Sequence, residues 1–322
     1  MKFIRSLLLK LQGSAPHALS LSFGGDHCRW VYGEVERRDR LSFKSIHASG
    51  GCALGIAPLG EALLTSSSLQ KAMGDSLGQL PVSSVRPLYV VVSVPSKHAY
   101  LGEISVAKDE REGLIRYQIQ ELMEAAAGES EREAAFDWQI KAELSDGSVS
   151  LAVAGIDQKQ VDEILLACQA CSLTCLGITL DSVAAMNGYL QMVPDALKMS
   201  NVRFLLHGEL SRHRIRLAVF SQGVLFNESW EHSEEGFSVV QAVSALERLV
   251  STWTRDGAPE ESASVRLILG GELMYTKGCE ATVRRSQTLS PRLMDVPPRR
   301  ELQLHWHDDV VPFGALEAMP CE

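Results

Sequence analysis

The stretch "LSLSFGGDHCRW", residues 19 to 30, is a strand, a tight Gly24-Gly25 turn and the start of a second strand. A turn of this kind leaves bare backbone N–H groups that can point at an anion, so the pattern suits phosphate. Phosphate chemistry also needs an acid that positions Mg²⁺ or a water. Ser22 stands where that acid is expected, and Asp26 follows four residues later on the solvent side of the turn. The stretch therefore reads as a nucleotide site or as the remains of one. A second stretch, "VRFLLHGELSRHRIRLAVF", repeats the grammar, with Gly208 as its turn glycine. Around it Arg212, Arg214 and Arg216 alternate along one strand face, where they meet an anion or simply face solvent.

Other chemistry-bearing residues form weaker patterns. His305 and His307 share one face of a strand-like run, as chelating pairs do, but no third ligand is identifiable. Cys168, Cys171 and Cys175 lack the second pair a zinc site wants, and seven cysteines without framework spacing read as reduced core thiols. Walker A, Gly-x-Ser-x-Gly and His-Glu-x-x-His patterns do not occur.

The elements that must position these residues follow from periodicity. A third strand at Leu41–His47 is followed by the loop "ASGGCALG" and a helix over 57–79 interrupted by Ser66-Ser67-Ser68. "PLYVVVSVP" is a continuous β-branched run bounded by prolines, hence a buried strand. From there to Leu173 the order is β-β-α-β-β-α, with Asp109 and Glu112 opening the first helix, an Asp146-Gly147 turn, and Asp157 opening the second. That order predicts an α+β unit of its own over 87–173. A strand at Leu176–Leu180 and a helix at Ser182–Gln191 lead to the second hairpin. A helix at Ser238–Trp253 and a buried strand ending on Gly270-Gly271 follow it.

Bulk properties exclude some classes. The 322 residues suffice for two or three domains, with 45% apolar and 22% charged residues and a net charge of −9. Such a balance argues against nucleic acid as a partner. No run has the apolar length of a transmembrane helix. At the N-terminus, Ile4, Leu7, Leu8 and Leu11 share a helical face that Lys2, Arg5 and Lys10 flank. This reads either as a helix lying on an anionic membrane surface or as one packed on the domain.

Two strand–Gly turn–strand copies among α/β elements resemble the actin-like ATPase superfamily. Within it, "VVSVPSKHAYLGEISV", "EREGLIRYQIQELM", "FDWQI" and "SLAVAGIDQKQVDEILLACQACSLTCLGITLDSVAAMNGYL" follow the order of the PilM family of type IV pilus assembly, on the branch shared with FtsA. "ALERLVSTW" and "VRLILGGE" resemble its later stretch, and the likeness covers most of 17–280. It implies an α/β fold of two actin-like (ribonuclease H-like) domains with an inserted α+β subdomain. The first domain would take 16–86 and 174–200, completed by 312–322; the insert 87–173; the second domain 201–311.

The resemblance also implies a nucleotide cleft, and here its acids are mostly replaced. Ser22-Phe23-Gly24 and Leu206-His207-Gly208 stand for the two Asp-x-Gly hairpins, Thr179-Leu180-Asp181 for an Asp-x-Glu, and Gly270-Gly271-Glu272 for a triple glycine. The vestigial cleft is thus Ser22, Gly24, Gly25, Asp181, Gly208, Gly270, Gly271 and Glu272, with no catalytic residue and no metal. ATP with Mg²⁺ is the alternative.

By the same resemblance, the chain is expected to be a structural adaptor and pseudo-ATPase. It would be cytoplasmic and peripheral to the inner membrane, and would bind the N-terminal peptide of a PilN-like bitopic protein. Pilus motor or platform proteins are further expected partners. Tyr100, Leu101, Arg116 and Gln120, on the insert, are the expected groove. A nucleotide-binding ATPase, or an L-type component of a type II secretion system, is the runner-up reading.

Overall fold

A computed structural model of the chain describes residues 17–24, 27–37, 41–53, 65–81, 89–127, 133–192, 202–221, 224–255, 265–294, 311 and 314–315. They form two compact units that divide at Ala184/Ala185, with 311 and 314–315 returning to the first. Lys2, Arg5, Lys10, Gly25, Asp26, His305 and His307 lie outside the described residues, as does most of the expected 312–322 completion.

The first unit is built on a five-stranded sheet. β1 (His17–Gly24), β2 (His27–Arg37) and β3 (Leu41–Ala53) form an antiparallel meander, and β4 (Tyr89–Val94) and β8 (Thr174–Leu180) add in parallel beside β1. The order is β3-β2-β1-β4-β8. α1 (Ser66–Gly78) and α3 (Gln158–Ala170) cover one face, where Leu19, Leu21, Phe23, Val90, Val92 and Ile164 form the core. Both helices start on side-chain caps: Thr65 accepts from Ser68 N, and Asp157 from Lys159 N.

The expected loop at residues 48–53 is instead the end of β3, paired with β2 through Ala53. Its glycines are sites of close approach, not turns. A Cβ on Gly50 would fall 2.7 Å from the Trp30 ring, and one on Gly51 would fall 2.9 Å from the Arg29 side chain. The three serines likewise open α1 and do not interrupt it; residues 54–64 are outside the described set.

The inserted unit is smaller than expected. β5 (Ala99–Ala107), β6 (Ala134–Glu143) and β7 (Ser148–Asp157) form a separate sheet in the order β5-β7-β6, with β6 and β7 joined by the Asp146-Gly147 turn. α2 (Glu112–Ala127) packs on one side, burying Ile119 and Met123 against Val153. On the other side Leu101, Ala135 and Ala154 pack against the core of the large sheet. The expected 87–173 boundary is therefore corrected to about 99–157. β4 is buried on both faces and belongs between β1 and β8, and α3 belongs to the large sheet's helical layer. Between 99 and 157 the chain carries 13 acidic and 5 basic residues, a net −8 against −9 for the whole.

The second unit repeats the strand order of the first. β9 (Phe204–Leu210), β10 (Arg214–Ser221) and β11 (Val224–His232) are an antiparallel meander, and β12 (Val265–Gly270) adds in parallel beside β9, giving β11-β10-β9-β12. α5 (Val239–Arg255) and α6 (Cys279–Arg285) cover one face over Leu206, Leu217, Leu267 and Leu269. α5 opens on a reciprocal Ser238–Gln241 capping box. The unit's first residues lie in α4 (Asp181–Met192), whose Met186 packs on the opposite face against Ala218 and Phe220.

Candidate functional site

In the first unit, Gly24, the last residue of β1, pairs with His27, the first of β2. Ser22 pairs in register with Ser93 on β4, and Ser93 with Thr179 on β8. Three hydroxyl side chains thus line up across three strands on the face away from the helical layer. All three residues are buried, and the hydroxyls of Ser93 and Thr179 have no hydrogen-bond partner among the described residues. Such a row is polar but uncharged. Asp181, 3% exposed, follows directly on β8; its Oδ1 accepts from Ser96 N at 2.9 Å and from Ser96 Oγ at 2.7 Å. It pins the segment after β4 to the start of α4.

The second hairpin requires a correction. Gly208 is not in a turn: it lies inside β9, opposite Leu217 on β10 and Leu269 on β12. A Cβ there would meet Leu246 at 2.8 Å and Leu269 at 3.0 Å, so this glycine permits close packing under α5. The turn is Arg212-His213, closed by Ser211 N donating to Arg214 O at 3.0 Å. Ser22 stands two residues before Gly24, which faces His27 at the end of the first hairpin, and Glu209 stands two before Ser211, which faces Arg214 at the end of the second, so the position that matches Ser22 is Glu209, not Leu206. An acid is therefore present in the second hairpin.

That acid is engaged. Arg214 Nη2 donates to Glu209 Oε1 at 2.8 Å, Arg216 Nη2 lies 2.6 Å from Glu209 Oε2, and Ser211 Oγ donates to Oε1 at 3.0 Å. Arg216 is 1% exposed and on its other side donates from Nη1 to Glu228 of β11 at 3.3 Å. Arg214 and Arg216 thus meet an anion, the chain's own, and Arg216 is buried where a solvated strand face was the expectation. Burial pushes the Glu209 carboxyl up, but the charges of Arg214 and Arg216 outweigh it and hold it well below the usual carboxylate range. Beside it, buried His207 stands 3.4 Å from the Tyr189 hydroxyl, which also donates to Leu269 O. Burial, then the Glu209 charge, pushes the Tyr189 phenol up.

A carboxyl held low in the folded state adds stability above its unfolded pKa of about 4.3, and that stability is lost as pH falls toward the folded value. The stability gap between wild type and Glu209→Gln should therefore be largest near neutral pH and narrow below about pH 4. Urea unfolding at a series of pH values measures it, and a gap independent of pH would contradict the ion pairing.

The glycine pair also has a role inside the chain. Gly270 pairs with Glu209 across β12 and β9. Gly271 has φ 97°, and a Cβ on it would fall 2.6 Å from Leu210 O. Glu272 Oε1 accepts from Arg212 N at 2.6 Å, at the tip of the hairpin.

Of the expected groove residues, Tyr100 packs on the α2 side of β5 and Leu101 on the opposite side. Arg116 lies over the Trp138 ring at 5.1 Å and pairs with Glu112; Gln120 donates to Glu124 at 2.9 Å. Nearby Leu114 and Tyr117 on α2 and Ile140 on β6 are large, apolar and more than half exposed or at half.

An actin-like fold implies a magnesium nucleotide, and the described groups of the second hairpin do not fit one. The Glu209 carboxylate is held by two guanidinium groups and the Arg212 amide by Glu272. In the first hairpin the matching side chain is the neutral Ser22. Among the described residues, no group of three His, Cys, Asp or Glu side chains is placed to hold a metal. No described helix is long and apolar enough to cross a membrane.

No protein-family model and no curated protein matches the sequence. Solved structures do match. The chain is similar to the PilM-PilN type IV pilus biogenesis complex, with TM-score 0.65 and 17% identity over 93% of this chain and 97% of that one. It is also similar to the cytoplasmic domain of EpsL, an inner membrane component of the type II secretion system of Vibrio cholerae, with TM-score 0.52, 12% identity and coverage of 94% and 95%. A third likeness, at TM-score 0.51 and 11% identity over 96% and 97%, is to a Bacteroides thetaiotaomicron protein with an actin-like ATPase fold and unknown function. The chain has the actin-like fold, and the PilM resemblance read from its motifs holds at the level of that fold.

Proposed function

We propose that the chain is a non-catalytic adaptor of a type IV pilus-type assembly platform, working at the cytoplasmic face of the inner membrane. Its task is to capture the N-terminal segment of a PilN-like bitopic protein at the inserted sheet. The observation that carries this reading is the likeness, over nearly the full length of both chains, to a structure of PilM with PilN. The insert supports it physically. β5 and β6 are the outer strands of their sheet, and an extended segment adds to such an edge through main-chain hydrogen bonds. The insert's net −8 would steer in a cationic segment. The likeness to EpsL supports a secretion platform as the second reading.

The test is calorimetry of the full chain with a synthetic peptide spanning the cytoplasmic N-terminus of a PilN-like protein from the same genome. The matching peptide from a secretion-system partner serves as competitor. Tyr100→Ala, Arg116→Ala and Gln120→Ala, all on the α2 side of the insert, should each weaken binding about tenfold or more, the effect of losing one central contact. Raising salt should weaken it further. Unchanged affinity in all three variants, with their thermal unfolding intact, would place the interface elsewhere. Preference for the secretion peptide would favour the second reading.

A further inference from the structure

Turn amides make anion cradles, and carboxylates beside them make cation sites. In the second hairpin both kinds of group are present and both are already bound within the chain. The Arg212 amide, at the tip, donates to the Glu272 carboxylate at 2.6 Å. The tip is tied on its other side as well: Phe237 N donates to Arg212 O at 2.5 Å and Ser233 N to His213 O at 3.1 Å. Below the tip, Glu209 is held at 2.8 Å by Arg214 and at 2.6 Å by Arg216.

From this juxtaposition we infer that the second hairpin is self-liganded: Glu272 takes the place of a phosphate on the turn amide, and Arg214 with Arg216 takes the place of a divalent cation on Glu209. The hairpin then keeps its conformation with neither nucleotide nor Mg²⁺. Glu272 reaches the amide because Gly271, at φ 97°, turns the chain directly against the Leu210 backbone. The arginines reach Glu209 because the two-residue turn sets Arg216 directly across from it on β10. The inference concerns this hairpin alone and holds whichever partner the inserted sheet takes.

It is tested on the full chain by hydrogen exchange at the Arg212 amide, with inorganic phosphate as the probe. In the wild type that amide should be protected, and neither phosphate nor Mg²⁺ with ATP should change its rate. Glu272→Ala should exchange about tenfold faster or more, since a hydrogen bond to a charged group is lost. Millimolar phosphate should restore protection in this variant, and chloride at equal ionic strength should not. Glu272→Gln, which keeps an acceptor of the same size, should fall between and remains informative if the alanine variant folds poorly. Three results would overturn the inference. They are a wild-type amide that gains protection from phosphate or magnesium ATP, a Glu272→Ala rate equal to wild type, and a faster rate that phosphate does not restore.

Discussion

Arg216→Met lowers stability by about 3–5 kcal/mol, the cost of removing one member of a buried charge cluster. The guanidinium is 1% exposed and stands between Glu209 at 2.6 Å and Glu228 at 3.3 Å. Methionine fills the space but leaves Glu228, itself buried, and Glu209 facing each other with less positive charge. The loss comes from those stranded carboxylates, not from the absent arginine, so removing all of the charge together should recover much of it. Arg216→Met combined with Arg214→Met, Glu209→Leu and Glu228→Leu is expected within about 1–2 kcal/mol of wild type or above it, as for other buried ion clusters replaced by apolar groups. Arg216→Lys keeps the charge but not the two-armed fork that reaches both acids, and should fall between. Urea unfolding measures the series through its midpoints at constant slope. A single Arg216→Met variant within about 1 kcal/mol of wild type would show that the cluster is solvated and the buried pairing wrong.

Gly271→Ala should cost about as much, roughly 2–5 kcal/mol, by a different route. The residue holds φ 97°, which an alanine adopts only with strain. Its Cβ would also fall 2.6 Å from Leu210 O and 2.8 Å from Leu210 C and N. Those are backbone atoms of β9, so no side chain can swing aside. Two other glycines separate the contributions. Gly278, at φ 89°, has open space around it, so Gly278→Ala reports the backbone strain alone, about 1 kcal/mol. At Gly208 the neighbours are the ends of two leucine side chains, so Gly208→Ala reports crowding that can relax. Thermal unfolding should therefore rank Gly271→Ala as the most damaging of the three. Equal effects at 271 and 278 would mean that the approach to Leu210 contributes nothing.

These glycines also explain how far the sequence could be read. The hairpins, the buried VVVSV strand, the cap at Asp157 and the repeated strand order were legible, because each follows from local periodicity or turn chemistry. Glycine itself misled in two places. Gly50 and Gly51 look like a loop, yet they sit in a strand because Trp30 and Arg29 lie where side chains would be. Gly208 looks like a turn residue, yet the turn is Arg212-His213 and the glycine makes room for leucines. Placing the turn by glycine rather than by the strand pairing put Leu206 where Glu209 belongs. The insert's bounds were illegible for another reason. Order along the chain says that a strand exists, not which sheet it joins, and β4 joins the large one.

The matched positions 22 and 209 lack a free negative charge in opposite ways, and the two ways differ in how they reverse. At 22 the charge is simply missing. One change, Ser22→Asp, restores a carboxylate among hydroxyls that have no partner to neutralise it. At 209 a carboxylate is present, and it is paired with two arginines, one of them tied to a further glutamate. Freeing it means unpicking several residues at once, each first step costing the fold. An engineer restoring ion binding to this scaffold would meet a single missing piece in one half and a ratchet in the other.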